Sequence, residues 1–373
     1  MNRSLNMNKL RFLSNYLIFP LIIFVLSACT EPATKKSISN VLNGDPAGFS
    51  RVIVGKKLTF PEDHLAHPGF RQEWWYLTAN LQTENGQKLG IQWTQFRIAL
   101  SASNENSDKG SDWATNQIYL AHTAVTTENL HLAKEKWSRQ HEQIADVYDE
   151  PLTIKLDNWQ WQSQENHLFP ALLTVTTEDF NYRLSLNSHS PIQLQGDEGY
   201  SRKSADALVA SYYYSQPFVK ISGELELEGV IHRVSGEGWL DREWSSQFLT
   251  ESQQGWDWFS LKLNDGSALM LFQLRASSAA QQPFISARRM YPDGRGQNIT
   301  SSKIIMTATD FQRINSDTYP VAWHIAIPSE QIDIQVNALN PSAKMPLSIP
   351  YWEGPIHFIG SHTGSGYMEL TGY

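Results

Sequence analysis

Residues 73–99 read EWWYLTANLQTENGQKLGIQWTQFRIA. Two runs rich in aromatic and β-branched residues flank Asn85-Gly86, a pair suited to a tight hairpin because both positions accept positive φ. Side chains alternate across a strand, so Glu73, Trp75 and Leu77 share one face while Trp74, Tyr76 and Thr78 share the other. In the second run Gln92, Thr94 and Phe96 oppose Trp93, Gln95 and Arg97. Charged and polar residues thus alternate with Trp and Phe inside the strands, and a carboxylate and an arginine among tryptophans point to pairing in an interior, where leaving either charge alone is costly.

The same pattern recurs outward in both directions. Residues 117–126, 172–177, 181–187, 217–228, 231–240, 256–263, 268–275, 302–309, 321–327 and 331–338 all read as strands. Glu228-Gly229 and Asn264-Asp265-Gly266 supply further turns. A short helix is expected only around 203–211 (KSADALVAS). Many antiparallel strands joined by short turns predict an all-β protein, either sandwich or barrel. The polar stretch Ser245–Gly255 (SSQFLTESQQG) is the best internal boundary, giving bodies at 58–248 and 249–373.

The N-terminus has a different character. Arg3, Lys9 and Arg11 precede the apolar run Tyr16–Leu26, and Leu26-Ser27-Ala28-Cys29 resembles a bacterial lipobox. Pro20 interrupts that run, which is about half the roughly 20 residues a spanning helix needs. Residues 1–28 are therefore expected to be a lipoprotein signal peptide, with Cys29 lipidated and 29–57 a flexible tether. Thr30, where some lipoproteins carry Asp, resembles the class directed to the periplasmic face of the outer membrane. Cys29 is the chain's only cysteine, so no internal disulfide is available and the core alone must hold the body.

Composition narrows the function. A net charge of −8 with interspersed signs, and no basic stripe, argues against a nucleic-acid partner. Thirteen tryptophans suggest aromatic-lined interiors. His64 and His67 lie near Glu62 and Asp63, but no third ligand stands at a telling spacing, so no metal is expected. Arg71, Glu73 and Arg97, among tryptophans, fit a buried charge network that closes a barrel; Arg242 and Glu243 extend the candidate set. Trp75, Trp93, Phe96 and Trp244 are candidates to contact a ligand.

Residues 234–247 (VSGEGWLDREWSSQ) carry the most chemical interest. Trp239 and Asp241 point the same way from one strand, while Arg242 and Trp244 point the other way. An aspartate facing an aromatic cavity would have its pKa raised and would hold a proton to donate. The alternative is that Asp241 pairs with an arginine and closes a barrel end. Tyr212 and Tyr214, another i, i+2 pair, are candidates to join it.

The segments FPEDHLAHPGFRQEWWYLTAN (60–80), GIQWTQFR (90–97), SYYYS (211–215), VSGEGWLDREWSSQ and GYMELTGY (366–373) together resemble the AttH-type lipocalin-like family. That family is related to bacterial carotenoid 1,2-hydratase (hydroxyneurosporene synthase) and, more distantly, to fungal kievitone hydratase. The resemblance spans 58–373 and implies two lipocalin-like antiparallel barrels packed together around an apolar ligand cavity. It also implies an aspartate proton donor preceded by an aromatic two positions earlier, which Asp241 and Trp239 match. In the hydratase a His and a Trp lie one hairpin earlier; here Tyr212 and Tyr214 fall at that distance, a match of location and not of identity.

Two functions follow as expectations. One is cofactor-free, acid-catalysed addition of water to the carbon–carbon double bond of an isoprenoid or lipid-like molecule, with Asp241 as acid and Trp239, Tyr212 and Tyr214 facing the cation. The other is a non-enzymatic periplasmic carrier for an apolar molecule. The family's frequent pairing with transporter genes implies an ABC-transporter permease as its partner.

Overall fold

The computed structural model describes residues 45–102, 114–278 and 280–373. The expected signal peptide (1–28), Cys29 and residues 30–44 of the expected tether lie outside the described residues. The chain folds into two antiparallel sheets, and both have the curvature of lipocalin-like barrels, the first nearly closed and the second half a barrel. Helical structure among the described residues is limited to three 3₁₀ turns, Glu62–His64, Ser301–Lys303 and Pro328–Glu330.

In the first sheet the hairpin of Gln72–Thr83 and Lys88–Ala99 sits centrally. Beyond Lys88–Ala99 come Gln117–Thr127 and His131–Arg139. On the other flank Gln72–Thr83 pairs with Val230–Ser245, then Ala210–Leu227, Phe180–Asn187 and the shorter strands back to Ala145–Asp149. The second sheet is centred on Gln253–Leu263, which pairs with Ala268–Ala276 on one side and with the terminal strand Gly364–Leu370 on the other. Tyr351–Gly360 lies next, followed by Ile332–Ala338, Asp317–Ile327 and Ile305–Ile314.

The expected helix at 203–211 does not form. Asp206 instead accepts bonds from the Ser204 hydroxyl and from the Leu208 N–H at 3.1 Å, and Ala207 turns with φ +58°. Side chains of this kind offer the backbone a local alternative to helical bonding, and here the turn wins.

Three apolar clusters hold the body together. Trp75, Leu77, Trp93, Trp161 and their neighbours form the packed core of the first barrel. Phe259, Leu261, Trp323 and Trp352 anchor the concave side of the second sheet. The third cluster lies between the sheets and includes Tyr76, Phe96, Tyr213, Trp239, Trp256 and Trp258. This is why Gln72–Thr83 and Lys88–Ala99 bury both faces: one faces its own barrel, the other the neighbouring sheet. Truncating a fully buried tryptophan such as Trp75 to alanine would cost about 3–5 kcal/mol.

Candidate active site between the two barrels

The site is set by one hairpin and the irregularity inside it. Glu228 and Gly229, with φ of +52° and +76°, join Ala210–Leu227 to Val230–Ser245 and start the ladder with Leu227 opposite Val230. Continued without interruption, that ladder would bring Gln216 opposite Asp241. Between Gln216 and Val219 the register slips, so that Pro217 and Phe218 together face Trp239. Proline has no N–H to give the ladder, and a bulge is where a strand accommodates it. One extra residue turns every later side chain to the other face. Ser215 therefore lies opposite Asp241, and Tyr213 opposite Glu243.

Asp241 is held by three donors. Its Oδ2 accepts from the Tyr213 hydroxyl at 2.6 Å. Its Oδ1 accepts from the Ser215 hydroxyl at 2.5 Å and from Trp239 Nε1 at 2.7 Å. No lysine, arginine or histidine forms an ion pair with it among the described residues. Burial raises its pKa to about 7, against the opposing pull of those bonds and with added repulsion from Glu243. The hydroxyls of Tyr213 and Ser215 both donate and accept, so the cradle serves either protonation state.

The opposite wall comes from the second sheet. Trp256, Trp258, Phe272, Leu274, Glu353 and Glu369 face Trp74, Tyr76, Phe96, Tyr213 and Asp241 across a narrow cavity of about 50 Å³. Trp258 Nε1 donates to the Tyr213 hydroxyl at 3.2 Å, tying the second sheet to the cradle of Asp241. Lys203 pairs with Glu243 at 2.6 Å and lies over the rings of Phe272, Phe248 and Tyr213.

Several expected residues lie elsewhere. Tyr212 and Tyr214 are on the far face, because the bulge reverses the alternation: the Tyr212 hydroxyl accepts from the Ile53 N–H at 2.8 Å, and the Tyr214 hydroxyl bonds His64 Nδ1 at 2.6 Å. Trp75, Trp93 and Trp244 belong to the packed interior of the first barrel, so of the four expected ligand contacts only Phe96 lines the cavity. Glu73 binds Arg97 and Arg242 inside that barrel and accepts from the His67 N–H at 2.8 Å. Burial alone would raise its pKa, yet the two guanidiniums and His67 hold it well below the usual carboxylate range. Arg71 donates to the Gln72 side chain at 3.2 Å, outside this cluster, and Glu243 faces the cavity instead of joining it. His67 bridges Glu73 and Asp63 at 3.0 Å each and stacks on Trp244 at 4.1 Å.

Sequence reasoning missed Tyr213, Ser215, Lys203, Trp258, Glu353 and Glu369. Pro217 was the available signal for the first two, since a proline inside a strand pattern marks a bulge or an edge. Glu353 in YWEGP and Glu369 in GYMELTGY alternate with apolar residues that face the second core, which is a weaker sign.

The sequence profile of the AttH-like family matches residues 51–373. The chain belongs to the AttH-like family. A crystal structure from Nitrosomonas europaea, assigned to AttH, shares 33% identity, with a TM-score of 0.78 over 87% of this chain and 99% of that one. Kievitone hydratase from Nectria haematococca shares the fold at 12% identity, with a TM-score of 0.63 over 91% of this chain and 95% of that one. No curated protein matches the AttH-like chain in sequence.

Proposed function

We propose that this AttH-like protein adds water to a carbon–carbon double bond of a slender, apolar, isoprenoid or lipid-like molecule, without a cofactor. One observation carries the reading: Asp241 is buried in an aromatic cavity, held by three neutral donors and by no cation. A purely structural aspartate at that depth needs a positive partner to offset its desolvation. A proton donor needs the reverse, an environment that keeps the acid form available near neutral pH.

In this reaction Asp241 gives its proton to one alkene carbon, and the π pair becomes the new C–H bond. The other carbon becomes a cation, stabilised by the ring faces of Tyr76, Tyr213 and Trp258, while Trp239, Tyr212 and Tyr214 lie outside the cavity lining. Water then bonds to that carbon and loses a proton to a carboxylate. The net change is addition of H and OH. The fold of kievitone hydratase accompanies the reading without carrying it.

A carrier role is the second reading, favoured by the apolar lining and by the lipobox at Leu26–Cys29. In it the protein is lipidated at Cys29, stands on the periplasmic side of the outer membrane, and passes an apolar molecule to or from an ABC-transporter permease. The carrier reading gives no use for a carboxyl group without a cation.

The test is incubation of the purified mature protein with an acyclic carotenoid in D₂O. The expected product is a tertiary alcohol with one carbon-bound deuterium. Binding of the carotenoid without product would overturn the hydratase reading in favour of the carrier.

A further inference from the structure

Across the cavity from Asp241, Glu353 and Glu369 occupy directly opposed positions on adjacent antiparallel strands. Side chains at paired positions share a face, so two carboxyl groups are set beside each other in the same wall. Glu353 is 1% exposed, and Glu369 keeps partial accessibility where it lines the cavity. Neither has an ion pair with a cation among the described residues; the one cation lining the cavity, Lys203, goes to Glu243. Glu353 Oε1 accepts from the Tyr76 hydroxyl at 2.5 Å, its Oε2 is buried without a well-formed hydrogen bond, and the Tyr351 hydroxyl lies against the same carboxyl. Tyr76 in turn lies opposite Asp241 in the first sheet. Glu369 Oε1 accepts from Trp256 Nε1 at 3.1 Å.

We propose that Glu353 and Glu369 form a dyad that shares one proton and acts as the base for the incoming water, a role that rests on the hydration reading. Two buried carboxyls side by side resist ionising together, so the pair loses its two protons in separate steps, and the singly ionised form is the one that serves as base. Burial and the neighbouring Glu369 push Glu353 well above the usual carboxylate range, and burial brings Glu369 to about 8, with Asp241 and Glu243 adding to the rise. The groups facing the pair are Tyr76, Asp241 and Glu243 from the first sheet and Tyr351 and Tyr367 from the second. The Oε2 of Glu353 supplies the acceptor. As water bonds to the cationic carbon, one of its protons passes to the dyad, which becomes neutral. That proton is then returned to the Asp241 carboxylate, restoring both groups. The acid thus stands on one sheet and the base on the other.

The dyad and its catalytic role are tested separately. In protein labelled with ¹³C at the glutamate carboxyls, one carboxyl is expected to titrate far above the rest, and Glu353→Gln should lower the midpoint of Glu369. Two ordinary midpoints near the usual carboxylate value would overturn the dyad, whatever the substrate. With the acyclic carotenoid in D₂O, Glu353→Gln and Glu369→Gln should each form alcohol about 100-fold more slowly. The recovered alkene should nevertheless gain deuterium, because Asp241 still makes a cation that collapses by losing a proton. If Glu353→Gln fails to fold, Glu369→Gln alone gives both readouts. Alcohol formation at the wild-type rate in a folded variant would overturn the base role. An inert wild type would overturn the hydration reading and the base role with it, leaving the shared proton to the titration.

Discussion

Asp241 and Arg242 are adjacent in the chain, yet their charges go to opposite sides of one strand and do not meet. Arg242 turns into the first barrel, where it binds Glu73 and lies 3.8 Å from the Trp75 ring centre. Asp241 turns outward to the cavity and to three neutral donors. A single strand thereby separates a buried ion network from a carboxyl with no cation paired to it among the described residues.

Asp241→Asn is expected to abolish turnover while leaving the melting temperature within a few degrees of wild type. The amide oxygen still accepts from Trp239 and Ser215, and no cation is orphaned by the change. Thermal melts and binding of an acyclic carotenoid check this; loss of fold and binding together would assign Asp241 a structural role.

Glu73→Gln should behave in the opposite way. It removes the carboxylate bound by both Arg97 and Arg242 in a fully buried cluster. Breaking one partner out of such a network typically costs about 3–5 kcal/mol. Urea unfolding should show that loss, and an unchanged midpoint would show the network to be dispensable.

The pH dependence of stability follows from the same contrast. Asp241 has a folded pKa raised to about 7 from 3.8, so the folded state keeps a proton that the unfolded chain releases. Its contribution is full below about pH 4 and is lost as the pH rises to about 7, on the order of a few kcal/mol. Subtracting the Asp241→Asn curve from the wild-type curve isolates it. A difference that grows toward higher pH would contradict the assignment. Turnover through the protonated acid should decline above the same midpoint.

Cys29→Ser should yield protein without an acyl adduct, either soluble or retained as precursor. Intact-mass measurement of the wild type is expected to show diacylglycerol attached at Cys29. An unmodified wild-type mass would remove the anchor and the membrane-side location together.

The fold was legible because the signals were local and repeated. Asn85-Gly86 and Glu228-Gly229 sit at real two-strand turns, and the Trp-rich runs alternate as strands do. The shared face of Trp239 and Asp241 needed nothing beyond two-residue periodicity. Tyr212 and Tyr214 were candidates by their location relative to Trp239 and Asp241 in the resemblance, and location alone does not register the extra residue at Pro217-Phe218, which sets that pair on the far face. Glu353 and Glu369 were hidden for another reason. Their proximity to Asp241 arises from the packing of one sheet on the other, and no spacing within the chain encodes that contact.

Because each sheet supplies one wall of the cavity, the proposed chemistry needs both sheets in register. The cradle of Tyr213, Ser215 and Trp239 belongs to the first sheet and fixes the acid. Trp256, Phe272 and Leu274 belong to the second and shape what lies against it. On the hydration reading, substitutions at Phe272 and Leu274, which bond neither the Asp241 cradle nor the glutamate pair, would retune which molecule is accepted while leaving both proton-handling groups in place.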